Sequence, residues 1–422
     1  MIKFERFSHP FQYLSLIFLI IILSRPIEIF AVEDLVTISG QVKNNKNKKS
    51  IENVSLTIPG SNISTVTNAD GYFSLKAPSN SIKKGIKAEQ IGFNSRLINW
   101  EEIKRNPVKL VILLDPTGKV LKEVVVLGGD PREILEKALK KIPDNYSDKN
   151  NLFSGFYRET VQKGNRFISI SEAMVDVLKR SYRSRDTYGE KVSIRKGRSL
   201  LSPKPSDTLA VKVAGGPFMP IMLDAVKNGD HLFTIDEMHY FDFKMENPEM
   251  IDDRAHYVVS FKPKVKLHYP MHSGIIYIDG ENLAISRVEF ELDMSDKNKA
   301  TRAILQKSPS GLHFKPQEVS GIVTYKQIGG KSYINYIRSK IRFKCDWEKR
   351  LFSSGYTTLS EMVMVDRDDS PEKNVKFAET FGRRNVFADI VENYWEEDFW
   401  KDYNIIEPTE SLEKAVTKLK KQ

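Results

Sequence analysis

Thr67-Asn-Ala-Asp-Gly-Tyr-Phe-Ser-Leu75 holds a tight turn and the strand that leaves it. Asn68 to Gly71 is a turn sequence, because glycine takes a positive φ without steric cost. Tyr72, Phe73 and Leu75 form the strand. Short alternating runs lie on both sides. Upstream are Val36, Ile38 and Val42 around Gly40, then Val54, Leu56 and Ile58 ending at Pro59-Gly60. Downstream are Ile86-Lys87-Ala88, Ile91-Gly92-Phe93, an apolar run from Val108 to Leu114, and Val124-Val125-Val126. Short strands broken by frequent turn signals predict a β-sandwich over residues 35–126.

Ile38-Ser-Gly-Gln-Val42, Ile51-Glu-Asn-Val-Ser-Leu56, Thr67 to Leu75 and Ile91-Gly-Phe93, in this order, resemble the carboxypeptidase regulatory-like domain, a transthyretin-like or Ig-like sandwich. Leu121-Lys-Glu-Val-Val-Val126 resembles the end of that module in outer-membrane proteins of Gram-negative bacteria. The module stands at the N-terminus of TonB-dependent outer-membrane transporters and of many smaller exported proteins. The resemblance implies a folded interaction unit and no catalyst. Asp70-Gly71-Tyr72-Phe73 specifies fold and carries no chemistry.

Residues 127–150 hold Gly128-Gly129 and then an amphipathic helix. Asp130 caps it, Pro131 suits its first turn and Glu133 takes the capping-box position. Ile134, Leu135, Ala138, Leu139 and Ile142 share a face that should pack on the second domain, and Pro143 ends it. Residues 151–366 return to strands, among them His256–Phe261, Ser273–Asp279, Ala284–Leu292, Gly321–Tyr325, Tyr333–Arg338 and Ile341–Cys345. Clean alternation predicts antiparallel pairing, and Asp279-Gly280 marks a hairpin. The expected architecture is mainly β: the sandwich, then a large antiparallel curved sheet or open half-barrel with a few helices. Leu209 to Met238 breaks the pattern and suggests a short helix against the sheet, which would either fill the core or enclose an apolar pocket. The Ile276-Tyr-Ile-Asp279 to Arg287-Val-Glu289 hairpin is similar to those of lipoprotein-carrier half-barrels, which hold acyl chains. Phe153-Ser-Gly-Phe-Tyr-Arg-Glu159 and Phe399-Trp-Lys-Asp-Tyr-Asn-Ile-Ile-Glu-Pro408 resemble the opening and closing signatures of a group of exported bacterial proteins of unassigned function.

The tail, 367–422, combines aromatics with acids at Tyr394–Trp400, expected as a strap that buries tryptophans. A helix from Glu410 to Lys421 follows, with Leu412, Ala415, Val416 and Leu419 on one face. The chain ends in Lys-Lys-Gln, whereas an outer-membrane barrel usually ends in an aromatic residue. At the other end, Lys3 and Arg6 precede an apolar run from Leu14 to Leu23, too short to span a bilayer. Ile29-Phe30-Ala31 supplies a cleavage pattern, so 1–31 is expected to be a signal peptide. Export to the periplasm follows, peripheral to the outer membrane and with no transmembrane span in the mature chain. Cys345 is the only cysteine, so neither an intrachain disulfide nor lipidation at the cleavage site is open to it. The 422 residues carry a net charge of +10. In an exported protein this argues against nucleic acid and leaves two readings, a surface that faces anionic lipid or glycan and a basic surface that is simply solvated.

Searches for chemistry give little. His-x-x-Glu, His-Glu-x-x-His, Gly-x-Ser-x-Gly, the P-loop and Gly-x-Gly-x-x-Gly do not occur. His239-Tyr-Phe-Asp242 has Asp where zinc carboxypeptidases need Glu, and His268-Tyr-Pro-Met-His272 has a proline inside its helical spacing. Cys345 sits in an alternating strand and suits packing. No catalytic, cofactor or metal residue is assigned. Paired carboxylates of a glycosidase are not recognisable from sequence. The sharpest surface feature is the basic segment 179–198. From it Lys179, Arg180, Arg183, Arg185, Arg195, Lys196 and Arg198 form a candidate patch for an anionic glycan or lipid headgroup. The other reading of that segment is a solvated hairpin of mixed charge. The expected function is a non-catalytic binding or assembly protein that meets a protein partner or outer-membrane component. The alternatives are a carrier of lipid or hydrophobic ligand, and a glycan or peptide hydrolase.

Overall fold

The computed structural model describes residues 34–117, 128–185, 187, 189–207, 215–305, 310–347, 353–368, 375–376, 379–396 and 403–420. The signal-peptide expectation, the strand at 124–126 and the end of the aromatic strap at 397–402 lie outside them.

Among the described residues seven strands make the sandwich: β1 (Leu35–Asn44), β2 (Ser55–Thr57), β3 (Ser64–Val66), β4 (Tyr72–Pro78), β5 (Ile86–Glu89), β6 (Arg96–Ile98) and β7 (Leu110–Leu114). One sheet runs β4-β1-β7 and the other β3-β2-β5-β6. Ile38, Val42, Leu56, Phe73, Leu75, Ile86, Ile98 and Ile112 share the core between them. Gly71 takes φ +76° in the predicted turn. Gly40 has a different reason: a Cβ there would lie 1.9 Å from the Leu110 carbonyl oxygen, so β7 can pair with β1 only across a glycine. Ile91-Gly92-Phe93, read as a strand, is a turn with Gly92 at φ +78° and a single bridge from Phe93 to Pro116.

The second sheet has eleven strands: β8 (Asn151–Lys163), β9 (Arg166–Lys179), β10 (Lys191–Leu201), β11 (Phe241–Met245), β12 (Glu249–Ile251), β13 (Arg254–Pro263), β14 (His272–Asp279), β15 (Ile285–Leu292), β16 (Leu312–Ile328), β17 (Lys331–Trp347) and β18 (Ser354–Asp368). All pairs are antiparallel. The order is β10-β9-β8-β18-β17-β16-β15-β14-β13-β11, with β12 on β13. The end strands do not pair with each other, so the sheet stays open.

Both faces of its centre are covered. Tyr157, Ala173, Val175, Ile337 and Met362 belong to the main core. Their neighbours Phe156, Met174, Tyr336 and Val363 belong to a second cluster with Val66 of the sandwich and Ile406. That two-sided burial takes polar side chains of these strands inside as well, among them Arg158, Glu159, Glu172 and Thr358. Helix α1 (Pro131–Lys140) lays Ile134, Leu135, Ala138 and Leu139 on the main core, as its spacing predicted. Its cap is Asp130, whose carboxylate accepts from the Arg132 N–H at 2.8 Å. Glu136 pairs with Lys140 at 2.6 Å. The insert after residue 215 contributes Phe218, Ile221, Leu223, Val226, Phe233 and Met238 to the same core. It folds as short helical turns, among them Met219–Met222 and Gly229–Leu232. Helix α2 (Lys297–Ile304) precedes β16. Helix α3 (Glu410–Lys420) packs Leu412, Ala415, Val416 and Leu419 against Ile170 and Leu200. The expectation of a tryptophan-burying strap is corrected at Trp395, which is 51% exposed and meets the sheet through a backbone bridge to Gly197. Among the described residues no helix is long and apolar enough to cross a membrane.

Candidate functional site

The basic segment predicted from sequence is the natural starting point. Lys179 ends β9 and is 1% exposed, lying 2.8 Å from Glu190 and 2.9 Å from Asp224. It cannot face a glycan or headgroup, and its place in the patch is corrected. Arg198 is held by Glu172, at 2.8 Å from Nη2, and Glu172 also takes Arg158 at 2.6 Å. Arg195 pairs with Asp176 at 3.0 Å and lies over the Tyr403 ring, while Lys196 pairs with Glu396 at 2.7 Å. The Arg185 Nε donates to the Val226 carbonyl at 3.2 Å. Only Arg180 and Arg183 are exposed, Arg183 at 3.4 Å from Asp148. The sequence places seven cations close together; the fold spends most of them on acids and carbonyls.

Asp224 anchors the insert in the main core. Its carboxylate accepts from the Tyr325 hydroxyl at 2.7 Å and from the Tyr182 hydroxyl at 2.8 Å, besides Lys179. Burial opposes ionisation, but the Lys179 charge and these donors outweigh it and keep Asp224 below the usual carboxylate range. Lys227 donates to the Ser184 carbonyl at 2.6 Å and to that of Ser181 at 2.5 Å. The network is buried, and it ties the insert to the sheet. The apolar face where a carrier would keep its pocket is filled by the chain's own side chains.

A partly enclosed space lies on the opposite face, where the sandwich meets the sheet. A cleft of about 370 Å³ is bounded on one side by β2, the 58–61 turn and β5. On the other side it is bounded by the Asp252 turn, His256, Asp279, Ser286 and the β16–β17 hairpin. Ser64 Oγ donates to the Met364 carbonyl at 3.0 Å and Asn62 Nδ2 to that of Arg367 at 2.8 Å, fixing the sandwich across the seam. An irregular segment, 403–408, ties both parts: Asn68 Nδ2 donates to the Pro408 carbonyl at 2.9 Å, Lys76 N–H to Asn404 Oδ1 at 2.6 Å, and Arg158 Nη2 to the Ile406 carbonyl at 2.8 Å.

Four groups give the cleft its chemistry. Lys87 sits between Glu89, at 2.5 Å, and Asp252. Burial, then the hydrogen bond and charge of Asp252, pushes the Glu89 carboxyl up to about 7. Arg254 holds Asp279 at 2.7 Å. Lys326 donates from Nζ to Ser64 Oγ at 2.8 Å and to the Asn62 carbonyl at 3.2 Å. Burial first, then the Arg367 charge, lowers its ammonium to about 7. His256 is fully buried, with Nδ1 3.0 Å from the Arg254 carbonyl and Nε2 2.8 Å from Ser286 Oγ. Since a carbonyl only accepts, Nδ1 carries the proton and Nε2 accepts from the serine. Burial lowers the imidazole, so it stays neutral. Two β-bulges face this cleft. The register slips where Tyr277 opposes Arg287 but Ile278 opposes Ile285, leaving Ser286 as the extra residue. It slips again where Thr324 opposes Tyr336 but Tyr325 opposes Ile334, leaving Asn335. Bulges re-aim side chains in this way.

Sequence reading missed every one of these groups. The Asp279-Gly280 hairpin beside Ser286 was its nearest signal. The candidates it did weigh fall elsewhere. His268 is exposed, while His272 begins β14, half-buried and lowered to about 4 by desolvation. Burial raises the Cys345 thiol to about 11, which leaves it protonated among Phe343, Leu312 and Tyr356. Among the described residues no three His, Cys, Asp or Glu are grouped to hold a metal.

The family model of the CarboxypepD_reg-like domain matches residues 38–126, the sandwich described above. No curated protein matches the chain. Among solved structures, a DUF1329 family protein from Desulfovibrio piger is similar at 11% identity, over 58% of this chain and 96% of that one, with a TM-score of 0.26. MucB in complex with MucA(peri) is similar at 9% identity, over 57% and 99%, with a TM-score of 0.18. Similarity at that level carries no conclusion about fold or function.

Proposed function

We propose that this chain is a non-catalytic exported binding protein of the periplasm, peripheral to the outer membrane, whose site is the cleft between the regulatory-like sandwich and the large sheet. The observation that carries this is Lys326, a cation in that cleft whose Nζ bonds go to neutral oxygens of the sandwich. The leader pattern at 1–31 supports export, and the sandwich supports an interaction role. A photo-crosslinking residue in place of Gln327, on the cleft rim, is expected to trap a ligand or partner in cells, while one in place of Lys141 traps none. Equal trapping at both positions, or none at Gln327, would sink the reading. Fractionation locates the protein in the same cells.

A second reading, acyl hydrolysis, is favoured by the Ser286–His256 hydrogen bond in the same cleft. A serine base-paired to an oriented neutral imidazole is the arrangement that activates a nucleophile. A fluorophosphonate probe that labels the wild type but not Ser286→Ala would establish it; an unlabelled wild type removes it.

A further inference from the structure

We propose that the cleft takes a small hydroxylated carboxylate, of the size of one sugar acid, with its acid group on Lys326 and a hydroxyl donating to Asn335. The inference rests on the cleft being a binding site.

Charge is the first reason. Lys87 has Glu89 and Asp252, Arg254 has Asp279, and Arg287 has Glu289 at 2.6 Å. Among the described residues no carboxylate lies within ion-pair distance of Lys326; Asp366 and Glu89 act on it only from farther away. Lys326 is thus the cleft cation with no acid at its side, and a ligand with one negative charge supplies it. A carboxylate matches that, whereas a phosphate dianion needs more.

Asn335 is the second reason. It is 4% exposed and lines the cleft, and among the described residues its Oδ1 has no hydrogen-bond partner. Its Nδ2 is 3.5 Å from Ser55 Oγ. A buried acceptor without a donor is costly, and here a β-bulge sets its residue against the cleft wall. The ligand therefore carries an O–H beside its acid group. Hydroxyls from Ser55, Thr57, Ser61, Thr324 and Ser332 line the remaining wall, which suits several further hydroxyls on the ligand. About 370 Å³ falls at the small end of ligand pockets.

The test is calorimetric titration of the full chain with D-glucuronate, and with D-glucose as the neutral control, at pH 6 and pH 8. Glucuronate is expected to bind at least tenfold more tightly than glucose. Lys326→Met should remove that preference without lowering the unfolding midpoint, and Asn335→Leu should weaken glucuronate. Affinity should fall from pH 6 to pH 8 as the Lys326 ammonium, faced by Arg367, Asp366 and Glu89, loses its proton. Glucose binding as well as glucuronate, or unchanged binding in Lys326→Met, overturns the ligand class and leaves the cleft as a site. No binding of either sugar overturns the ligand class too. If Gln327 crosslinking is also blank, the cleft reading falls with it.

Discussion

Tyr325 and Lys326 are neighbours in β16 and serve opposite faces of one sheet. The Tyr325 hydroxyl donates to Asp224 in the closed core at 2.7 Å, and the Lys326 ammonium donates to Ser64 of the sandwich at 2.8 Å. Alternation along a strand makes this unavoidable. The pair separates what stabilises the molecule from what equips its cleft.

Substitutions at the two positions should diverge. Tyr325→Phe removes a donor from a buried carboxylate and is expected to cost about 1–3 kcal/mol in denaturant unfolding. Lys326→Met removes an ammonium that burial already disfavours, and should leave stability unchanged or higher. A stability loss in Lys326→Met as large as that in Tyr325→Phe would contradict the division.

Asp224 holds the insert in place through Lys179, Tyr182 and Tyr325. Asp224→Ala strands Lys179 beside Glu190 alone and leaves two hydroxyls without their acceptor. The expected loss is about 3–5 kcal/mol, with faster hydrogen exchange over 215–240 than over the sandwich. Uniform exchange across the chain would show that the network does not act locally.

Glu159 gives a pH signature. Burial raises its carboxyl to about 7, against the pull of the Tyr157 hydroxyl at 2.9 Å. The folded state thus binds a proton more tightly than the unfolded one. Its contribution is complete below about pH 4.5 and is lost as pH rises through 7, on the order of 3 kcal/mol. Glu159→Gln should flatten that part of the stability curve; an unchanged slope between pH 5 and 8 would place the proton elsewhere.

Gly40→Ala tests the sandwich. The new methyl would meet the Leu110 carbonyl at 1.9 Å, so β7 must leave β1. A cost of about 2–4 kcal/mol is expected, together with loss of amide protection along Leu110–Leu114. Retained protection there would show that the backbone yields without unpairing.

The sandwich was legible because its signals are local. Asp70-Gly71 demands a turn, and Ile38, Phe73 and Leu75 alternate within single strands. Helix α1 was legible for the same reason, from Asp130 to Ile142. The cleft was not. Lys326 matters because of Ser64, 262 positions away, and Asn335 because of a register slip that no spacing in β17 announces. The basic segment misled for a related reason. Lys179 and Arg198 look exposed in sequence because Asp224 and Glu172, which hold them, belong to other elements. Trp395 looked like a burial anchor by composition and is half exposed, its link to Gly197 being made by backbone.

The tie between Thr65 and the Ile405 carbonyl spans 340 positions, and the cleft draws its walls from stretches near 55, 88, 254, 286 and 326. Partly folded chains that lack any one of these walls have no cleft. Whatever occupies it therefore recognises the native state alone, and by mass action the whole of its binding free energy adds to resistance against unfolding. Occupancy and foldedness become one quantity, so a loaded molecule would outlast an empty one wherever proteases select among chains.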